Sequence, residues 1–173
     1  MCSSDLKAAF IRFAGRRRGG PPTAEDLQRC MVNDQPGINE MTILSFEGGF
    51  HGRSLGALSA TRSKAIHKLD IPAFRWPVAP FPANRFPLDA HAAENAAAEA
   101  RSLEAVEAHL RGGNVAGVIV EPIQGEGGDR HARPAFFHAL QVLCKKHGAA
   151  FIVDEVQRSE EHTSELQSPC NLV

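Results

Sequence analysis

The sequence has 173 residues, of which 43% are hydrophobic and 23% charged, so it is long enough for one globular domain with a sizeable core. Its net charge of -1 gives no bulk field that would recruit nucleic acid or an anionic membrane, and no apolar run is long enough to span a bilayer. The chain opens without the pattern of a secretory signal, and its four scattered cysteines favour a reducing, intracellular compartment.

The first segment with helical periodicity is predicted to run from Lys7 to about Arg16. Its apolar side is expected to consist of Phe10, Ile11 and Phe13. A glycine- and proline-rich loop separates it from a second predicted helix, "TAEDLQRCM". There Thr23 is a plausible cap, with Asp26 three residues later.

The middle of the chain predicts a strand, an irregular segment and a long helix. The strand is the short apolar run "MTILSF". Five prolines forbid regular structure in "IPAFRWPVAPFPANRFP", which is expected to be an ordered loop anchored by Trp76 and several phenylalanines. The helix is the Ala/Glu-rich stretch before Gly112, and its apolar stripe is expected to be Leu103, Val106 and Leu110.

Two further strands, "VAGVIVEP" and "AAFIVDEV", flank a helix, "RPAFFHALQVLCKKH", that Gly148 ends. Neither strand alternates polar with apolar residues, so both are expected to be buried on both faces. Helices that alternate with such strands predict an α/β fold, with a mostly parallel sheet and helices on both faces.

All three predicted strands end in polar segments: "EGGFHGRS", "EPIQGEGGD" and "DEVQ". In open α/β sheets, ligands bind beyond the carboxyl ends of the strands, so a site is expected where these segments meet. The segments have no phosphate-loop spacing and no nucleophile elbow, and the histidines and cysteines have no metal-ligand spacing.

The segment "VDEVQ" places Asp154 and Val156 on one side of an extended chain and Glu155 on the other. A carboxylate at the end of an apolar strand needs a cationic partner or a metal ion, because burying it unpaired is costly. The branched side chain of Val156 on the same face suggests a flat ring lying against it. The alternative is a structural Asp154 that caps a helix or forms a salt bridge.

The other two strand ends offer further candidates. In "GGFHGRS", Phe50 is suited to stack on a ring, His51 to hydrogen-bond one, and Arg53 to hold a carboxylate. The alternative is a glycine turn with a packed phenylalanine and a surface arginine. Glu121 and Glu126 form either an acid–base pair or a structural pair, with one glutamate salt-bridged beneath the site.

Taken together, these motifs resemble the class III, fold-type I pyridoxal-phosphate aminotransferases over residues 7–157. "SFEGGFHGRSLG", "VIVEPIQGEGGD" and "KKHGAAFIVDEVQ" carry the resemblance to the class, and "SKAIHKLDIPAF" points to its 4-aminobutyrate branch. "GEGGDRH" is also similar to lysine 6-aminotransferases, so an ornithine, acetylornithine or lysine ω-aminotransferase is the alternative. A third possibility, from another class, is a non-catalytic protein that binds a partner or a carboxylate ligand through Arg53.

The resemblance implies part of the large domain of a pyridoxal 5'-phosphate enzyme and a role for each candidate at the cofactor. Asp154 pairs with the protonated pyridine nitrogen and keeps the ring an electron sink. Val156 and Phe50 enclose the ring between them. Gln157 reaches its phenolic oxygen, and His51 sits beside it.

The resemblance also implies the substrates, which are small amino acids and oxo acids. Arg53 binds the substrate carboxylate, Glu126 is a switch acid that releases a distant arginine for the second substrate, and Glu121 is an acid behind the ring contacts. The reaction moves the amino group of 4-aminobutyrate to 2-oxoglutarate. The parent protein is expected to be a homodimer, in the cytoplasm of a bacterium or the mitochondrial matrix of a eukaryote, with no nucleic-acid or membrane partner.

Two departures from the family pattern concern the ends of the sequence. The Schiff-base lysine of the family lies beyond "DEVQTG", whereas no lysine follows Lys146 here, and "MCSSDL" stands where a phosphate-binding Gly-Ser-Ala segment belongs. The chain alone is therefore expected to be inactive. "RSEEHTSELQS" and "MCSSDL" can both be read from one short-read sequencing adapter, which predicts that residues 1–6 and 158–173 are artefacts flanking the central part of a large domain, 7–157. The alternative is a genuine divergent tail.

Overall fold

The computed structural model of the chain describes residues 3–34, 40–155 and 170–172 and has a central sheet between helices. The helices are α1 (Ser3–Arg18), α2 (Ala24–Met31), α3 (Leu55–Ala60), α4 (Ala92–Arg111) and α5 (Pro134–His147), with a 3-10 turn at Ala65–His67. The strands are β1 (Thr42–Phe46), β2 (Val78–Ala79), β3 (Val115–Val120), β4 (Ile123–Gln124), β5 (Arg130–His131), β6 (Ala150–Asp154) and β7 (Cys170–Leu172).

The main sheet has the order β2-β1-β3-β6-β7, and its first four strands are parallel. The predicted mostly parallel sheet is thus confirmed. The sequence missed β2, a two-residue edge strand between Pro77 and Pro80, because prolines argue against a strand except at an edge. It also missed the antiparallel β7, which pairs Leu172 with Ile152, and the small hairpin of β4 and β5.

Each face of the sheet has its own core, because successive strand residues point to opposite sides. One core packs α1 on the sheet and includes Leu6, Ala9, Phe13, Ile43, Ile119 and Ile152. The other packs α4 and α5 and includes Leu44, Val106, Leu110, Val118, Phe136 and Leu140. The prediction of helices on both faces is therefore confirmed. Within the described ranges, no helix combines the length and hydropathy needed to cross a bilayer.

One predicted helix face is wrong in part. The buried residues of α1 are Leu6, Ala9 and Phe13, whereas Ile11 is 72% exposed and Phe10 is half-buried. Positions 6, 9 and 13 recur at three- and four-residue intervals and share one face, which turns position 11 towards the opposite side. Phe10 instead contacts Trp76, with ring centroids 5.8 Å apart.

Several local predictions are confirmed. Thr23 and Asp26 form a reciprocal capping box at the start of α2. Gly148 ends α5 in the left-handed conformation with φ of 72°. Val106 and Leu110 are buried on α4, with Leu103 partly buried beside them.

A buried ion pair anchors the start of α5 against α4. The Glu99 carboxylate is 7% exposed and accepts hydrogen bonds from Arg133 Nη2 (2.6 Å), Arg133 Nε (3.0 Å) and Asn84 Nδ2 (3.0 Å). Burial acts to raise the pKa of Glu99, but the hydrogen bonds from Arg133 and Asn84 outweigh it and hold the pKa below its ordinary value. The pair fixes the loop that carries the β4–β5 hairpin towards the strand ends.

The substitution Arg133→Met is expected to lower the free energy of unfolding by about 1–2 kcal/mol, because it leaves Glu99 buried without its cation. Arg111→Met is the matched control, since Arg111 pairs with Glu107 while 69% exposed, and should change stability by less than about 0.5 kcal/mol. Urea unfolding measures both. The difference should shrink as the pH falls from 4.5, the ordinary pKa of the carboxyl, through the lowered pKa of Glu99 in the folded state, because Glu99 is then protonated with or without Arg133. Equal midpoints for the two variants at neutral pH would contradict this assignment.

Candidate active site

The carboxyl ends of β1, β3 and β6 bring together residues far apart in sequence. Since these strands are parallel neighbours, the loops after them meet at one edge of the sheet. His51, which follows β1, contacts Asp154 at the end of β6, 103 residues later. Phe50 contacts Glu121, which follows β3. The polar segments that follow these three strands therefore lie together at one edge of the sheet, as the sequence predicts.

The innermost contact of the site joins Asp154 and His51. The Nδ1–H of His51 donates to Oδ2 of Asp154 over 2.9 Å, and the two side chains are 1% and 3% exposed respectively. The main-chain N–H of His51 donates to Oγ1 of Thr61 (2.9 Å), and this hydroxyl donates to the carbonyl oxygen of Gly52 (2.9 Å). Histidine is therefore fixed through both its ring and its backbone, and Asp154 has the polar partner that its burial requires.

The other ring nitrogen of His51 lies close to the main chain at Gly49. Its Nε2 is buried and has no hydrogen-bond partner among the described residues. A Cβ added at Gly49 would lie 3.0 Å from this nitrogen and 3.6 Å from Oε2 of Glu121. Glycine at position 49 therefore lets the main chain pack closely against the imidazole and the carboxyl group, where a side chain would be too close.

Glu121 is buried beneath the loop that follows β1. Its Oε2 accepts a hydrogen bond from the main-chain N–H of Phe50 over 2.8 Å. Burial raises the pKa of Glu121 to about 7, the hydrogen bond from Phe50 acts in the opposite direction, and the nearby charge of Asp154 raises it further. Glu121 is therefore close to the balance between its neutral and charged forms at neutral pH.

Two glycine loops pack main chain against main chain at the edge of the site. A Cβ on Gly127 would overlap the carbonyl group of Gly48. Gly48 itself has φ of 78°, which favours glycine, and a Cβ there would lie 2.9 Å from Oε1 of Gln124. The amide of Gln124 also donates to the carbonyl oxygen of Glu47 (2.9 Å). These contacts fix the spacing between the loops after β1 and β3.

The remaining candidates lie nearer to solvent. Glu126 pairs with Lys64 over 2.6 Å; Lys64 lowers the pKa of Glu126, and weaker contributions come from His67 and Arg53. Arg53 is exposed. Phe50 is half-buried and meets the ring of His67 edge-on, with centroids 5.4 Å apart.

The structure brings Phe50, His51, Glu121 and Asp154 together and leaves Arg53 and Glu126 at the rim. Val156 and Gln157, predicted to contact the cofactor ring, lie outside the described residues. Sequence reasoning missed Thr61 and Lys64. Lys64 lies in the segment "SKAIHKLDIPAF", but the roles of both residues depend on partners that only the folded chain places beside them. In the described part of the chain, no group of three or more His, Cys, Asp or Glu side chains is placed to hold a metal ion.

Comparison with known proteins assigns a family. A model of the class-III aminotransferases matches residues 12–160. The 4-aminobutyrate aminotransferase of Emericella nidulans is 53% identical over 156 residues, that of Dictyostelium discoideum is 55% identical over 154, and the mitochondrial one of Homo sapiens is 49% identical over 164. The matches cover 87%, 87% and 90% of this chain but only 31%, 31% and 33% of these relatives, so the chain spans about a third of their length.

Solved structures agree with this assignment. Lysine aminotransferase from M. tuberculosis in its internal aldimine form superposes with a TM-score of 0.71 and 36% identity, and the match covers 90% of this chain and 33% of that one. The ornithine aminotransferase from Toxoplasma gondii, at 22% identity and a TM-score of 0.61 over 91% of this chain and 29% of its own, shares the fold. The fold is that of part of the large domain of fold-type I aminotransferases. From the family match, the relatives and the shared fold together, the chain belongs to the class-III aminotransferase family.

Proposed function

We propose that this chain is the central part of an aminotransferase that uses pyridoxal 5'-phosphate to move the amino group of 4-aminobutyrate to 2-oxoglutarate. The observation that carries the proposal is the buried pair of Asp154 and His51 at the carboxyl end of β6, beside Glu121. The relatives named 4-aminobutyrate aminotransferase support the choice of substrate.

The chemistry of the donor set fits the cofactor. Asp154 is a buried carboxylate at a strand end, which is where ligands bind in such sheets. A carboxylate there is a charged hydrogen-bond acceptor for a protonated ring nitrogen. When bound, pyridoxal 5'-phosphate supplies an electron-accepting ring that stabilises negative charge on the substrate carbon. Asp154 would hold the proton on the ring nitrogen, and His51, whose Nδ1–H donates to Asp154, would orient the carboxylate.

The face of the ring would be covered by residues of the loop after β1. The half-buried side chain of Phe50 is proposed to stack on one face of the ring. Val156 is proposed for the opposite face of the ring and Gln157 for its phenolic oxygen.

The exposed rim is proposed to bind the substrates. Arg53 presents a guanidinium group, which can bind a substrate carboxylate through two parallel hydrogen bonds. Glu126 is proposed as the switch acid that releases a distant arginine, so that the carboxylate of the second substrate can bind. A homodimer is proposed as the assembly. The mitochondrial names of animal relatives support the mitochondrial matrix for a eukaryotic source; for a bacterial source we propose the cytoplasm.

The experiment that tests the function begins with the full-length gene, recovered from intact source DNA. We propose that residues 7–157 are its native segment and that the ends are adapter-derived. A locus that continues from "DEVQ" into "RSEEHTSELQS" would contradict the second part. The full-length protein should bind pyridoxal 5'-phosphate at a lysine and transaminate 4-aminobutyrate with 2-oxoglutarate. A protein that neither binds the cofactor nor transfers an amino group would overturn the proposed function.

Arg53→Met in this full-length protein is expected to raise the KM for 4-aminobutyrate about 100-fold. A hydrogen-bonded pair between charged groups contributes about 1.5–3 kcal/mol, and each 1.4 kcal/mol is tenfold in affinity. Arg101→Met, an exposed arginine of α4 away from the strand ends, is the control and should leave KM unchanged. Steady-state kinetics with varied donor concentration separates the two. An unchanged KM in the Arg53 variant would remove Arg53 from the substrate site.

A second candidate is a lysine or ornithine ω-aminotransferase. The similarity of the chain to lysine aminotransferase from M. tuberculosis, at 36% identity, favours it. The full-length protein assayed with 4-aminobutyrate, ornithine, acetylornithine and lysine as donors decides between the two. A higher kcat/KM for lysine than for 4-aminobutyrate would select the second candidate.

A further inference from the structure

Three buried acids and bases lie at the strand ends, and the reaction described above employs two of them. In that scheme Asp154 binds the ring nitrogen and His51 orients Asp154, whereas Glu121 contacts neither the ring nor a substrate. Yet Glu121 is buried and bonded to the main chain of Phe50 over 2.8 Å. A buried carboxyl group is costly unless it is compensated, so a merely structural acceptor at this position could have been a neutral amide.

Resting on the proposed function, we propose that Glu121 is a positioning residue with two tasks. Its carboxyl oxygen fixes the backbone of Phe50, so that the phenylalanine meets the cofactor ring. Its negative charge, when present, adds to that of Asp154 and strengthens the electrostatic attraction of the site for the protonated ring nitrogen of the cofactor.

The geometry supports the first task. Oε2 of Glu121 is the acceptor for the N–H of Phe50, the residue immediately before His51. The glutamate is supplied by the end of β3, and β3 is paired with β6 along four residues, Gly117–Val120. The loop after β1 is therefore tied to the same rigid strand pair that presents Asp154.

The second task follows from the charges that face Glu121. On the β6 side this is Asp154, whose charge acts on Glu121. On the side of the loop after β1, Nε2 of His51 and Oε2 of Glu121 both lie next to Gly49, at 3.0 Å and 3.6 Å from the position that an added Cβ would take. Because the pKa of Glu121 lies at about 7, its charge appears between about pH 6 and pH 8, within the working range of an enzyme. A cationic ring nitrogen nearby then gains a second favourable interaction.

Two variants of the full-length enzyme separate the tasks. Glu121→Gln keeps a carbonyl acceptor for Phe50 but carries no charge at any pH, and Glu121→Met keeps neither. Glu47→Gln is the matched control, because Glu47 is an exposed carboxylate on the same loop. Equilibrium binding of pyridoxamine 5'-phosphate to each apo-enzyme, followed by fluorescence from pH 6 to pH 8, is the readout.

Glu121→Gln is expected to match the wild type at pH 6 and to bind about threefold to tenfold more weakly than it at pH 8. Glu121→Met should bind at least about tenfold more weakly than Glu121→Gln at pH 6, while Glu47→Gln should follow the wild type throughout. A wild-type to Glu121→Gln affinity ratio that does not change with pH overturns the charge task. Equal binding by the Gln and Met variants overturns the backbone task. These outcomes require a wild type that binds the cofactor, whereas a wild type that does not bind it overturns the proposed function itself.

Discussion

Asp154→Asn in the full-length enzyme is expected to weaken cofactor binding about 10- to 100-fold and to lower turnover about 1000-fold or more. Asp154 lies at the end of β6 with its side chain 3% exposed, so the surroundings offer little water to compensate for the lost charge. A charge-assisted hydrogen bond contributes about 1.5–3 kcal/mol to binding. The expected loss in turnover is larger because, under the proposed function, a neutral amide would not keep the ring nitrogen protonated as charge develops on the ring.

Glu155→Gln is the matched control for this substitution. It makes the same change of acid to amide one residue further along, where the side chain of an extended chain points to the other face. Absorbance titration of the apo-enzyme with pyridoxal 5'-phosphate and single-turnover kinetics measure the two effects. If Asp154→Asn and Glu155→Gln behaved alike, Asp154 would have a structural role only, as a partner of His51.

Gly127→Ala is expected to destabilise the protein by about 3 kcal/mol and to weaken cofactor binding as a consequence. The added methyl group would overlap the carbonyl group of Gly48, and main-chain atoms cannot swing aside as the end of a flexible side chain can. The two loops must separate, which disturbs the hydrogen bond from Gln124 to the carbonyl oxygen of Glu47 and the spacing beside the ring.

Gly20→Ala provides the comparison, since an added Cβ at Gly20 meets no heavy atom within 4 Å. It is expected to be neutral or to stabilise the protein by a few tenths of a kcal/mol. Thermal unfolding of the three proteins, with and without cofactor, measures the difference. A Gly127→Ala variant with the midpoint of Gly20→Ala would mean that the loops adapt at little cost.

The sequence predicted those parts of the fold that depend on continuous patterns. The strands β1, β3 and β6 are unbroken apolar runs between turns, and such runs are typical of buried parallel strands. Two-residue strands such as β2 and β4 leave no pattern long enough to recognise. The face of α1 was misjudged at Ile11, because hydrophobicity alone does not show which of several apolar residues meets the sheet.

The candidate site was predictable to the extent that it follows from strand ends. Asp154 ends β6, Glu121 comes directly after β3, and His51 lies in the loop after β1. A parallel sheet gathers such positions on one edge. The contacts of Thr61 with His51 and of Lys64 with Glu126 were not predictable, because they join segments whose separation in space depends on loop conformation. The closeness of Gly127 to Gly48 likewise appears only when both loops are folded.

The pairing of His51 with Asp154 has a consequence for how the chain reaches its native state. In the sheet, β3 lies between β1 and β6, so the two residues meet only when all three strands are aligned correctly. A slip of β6 by one residue against β3 would turn Asp154 to the opposite face and leave the imidazole without its acceptor. The hydrogen-bonded pair thus stabilises the correct alignment of strands that are far apart in the chain. A ligand that binds only to the completed pair would favour the aligned state by mass action.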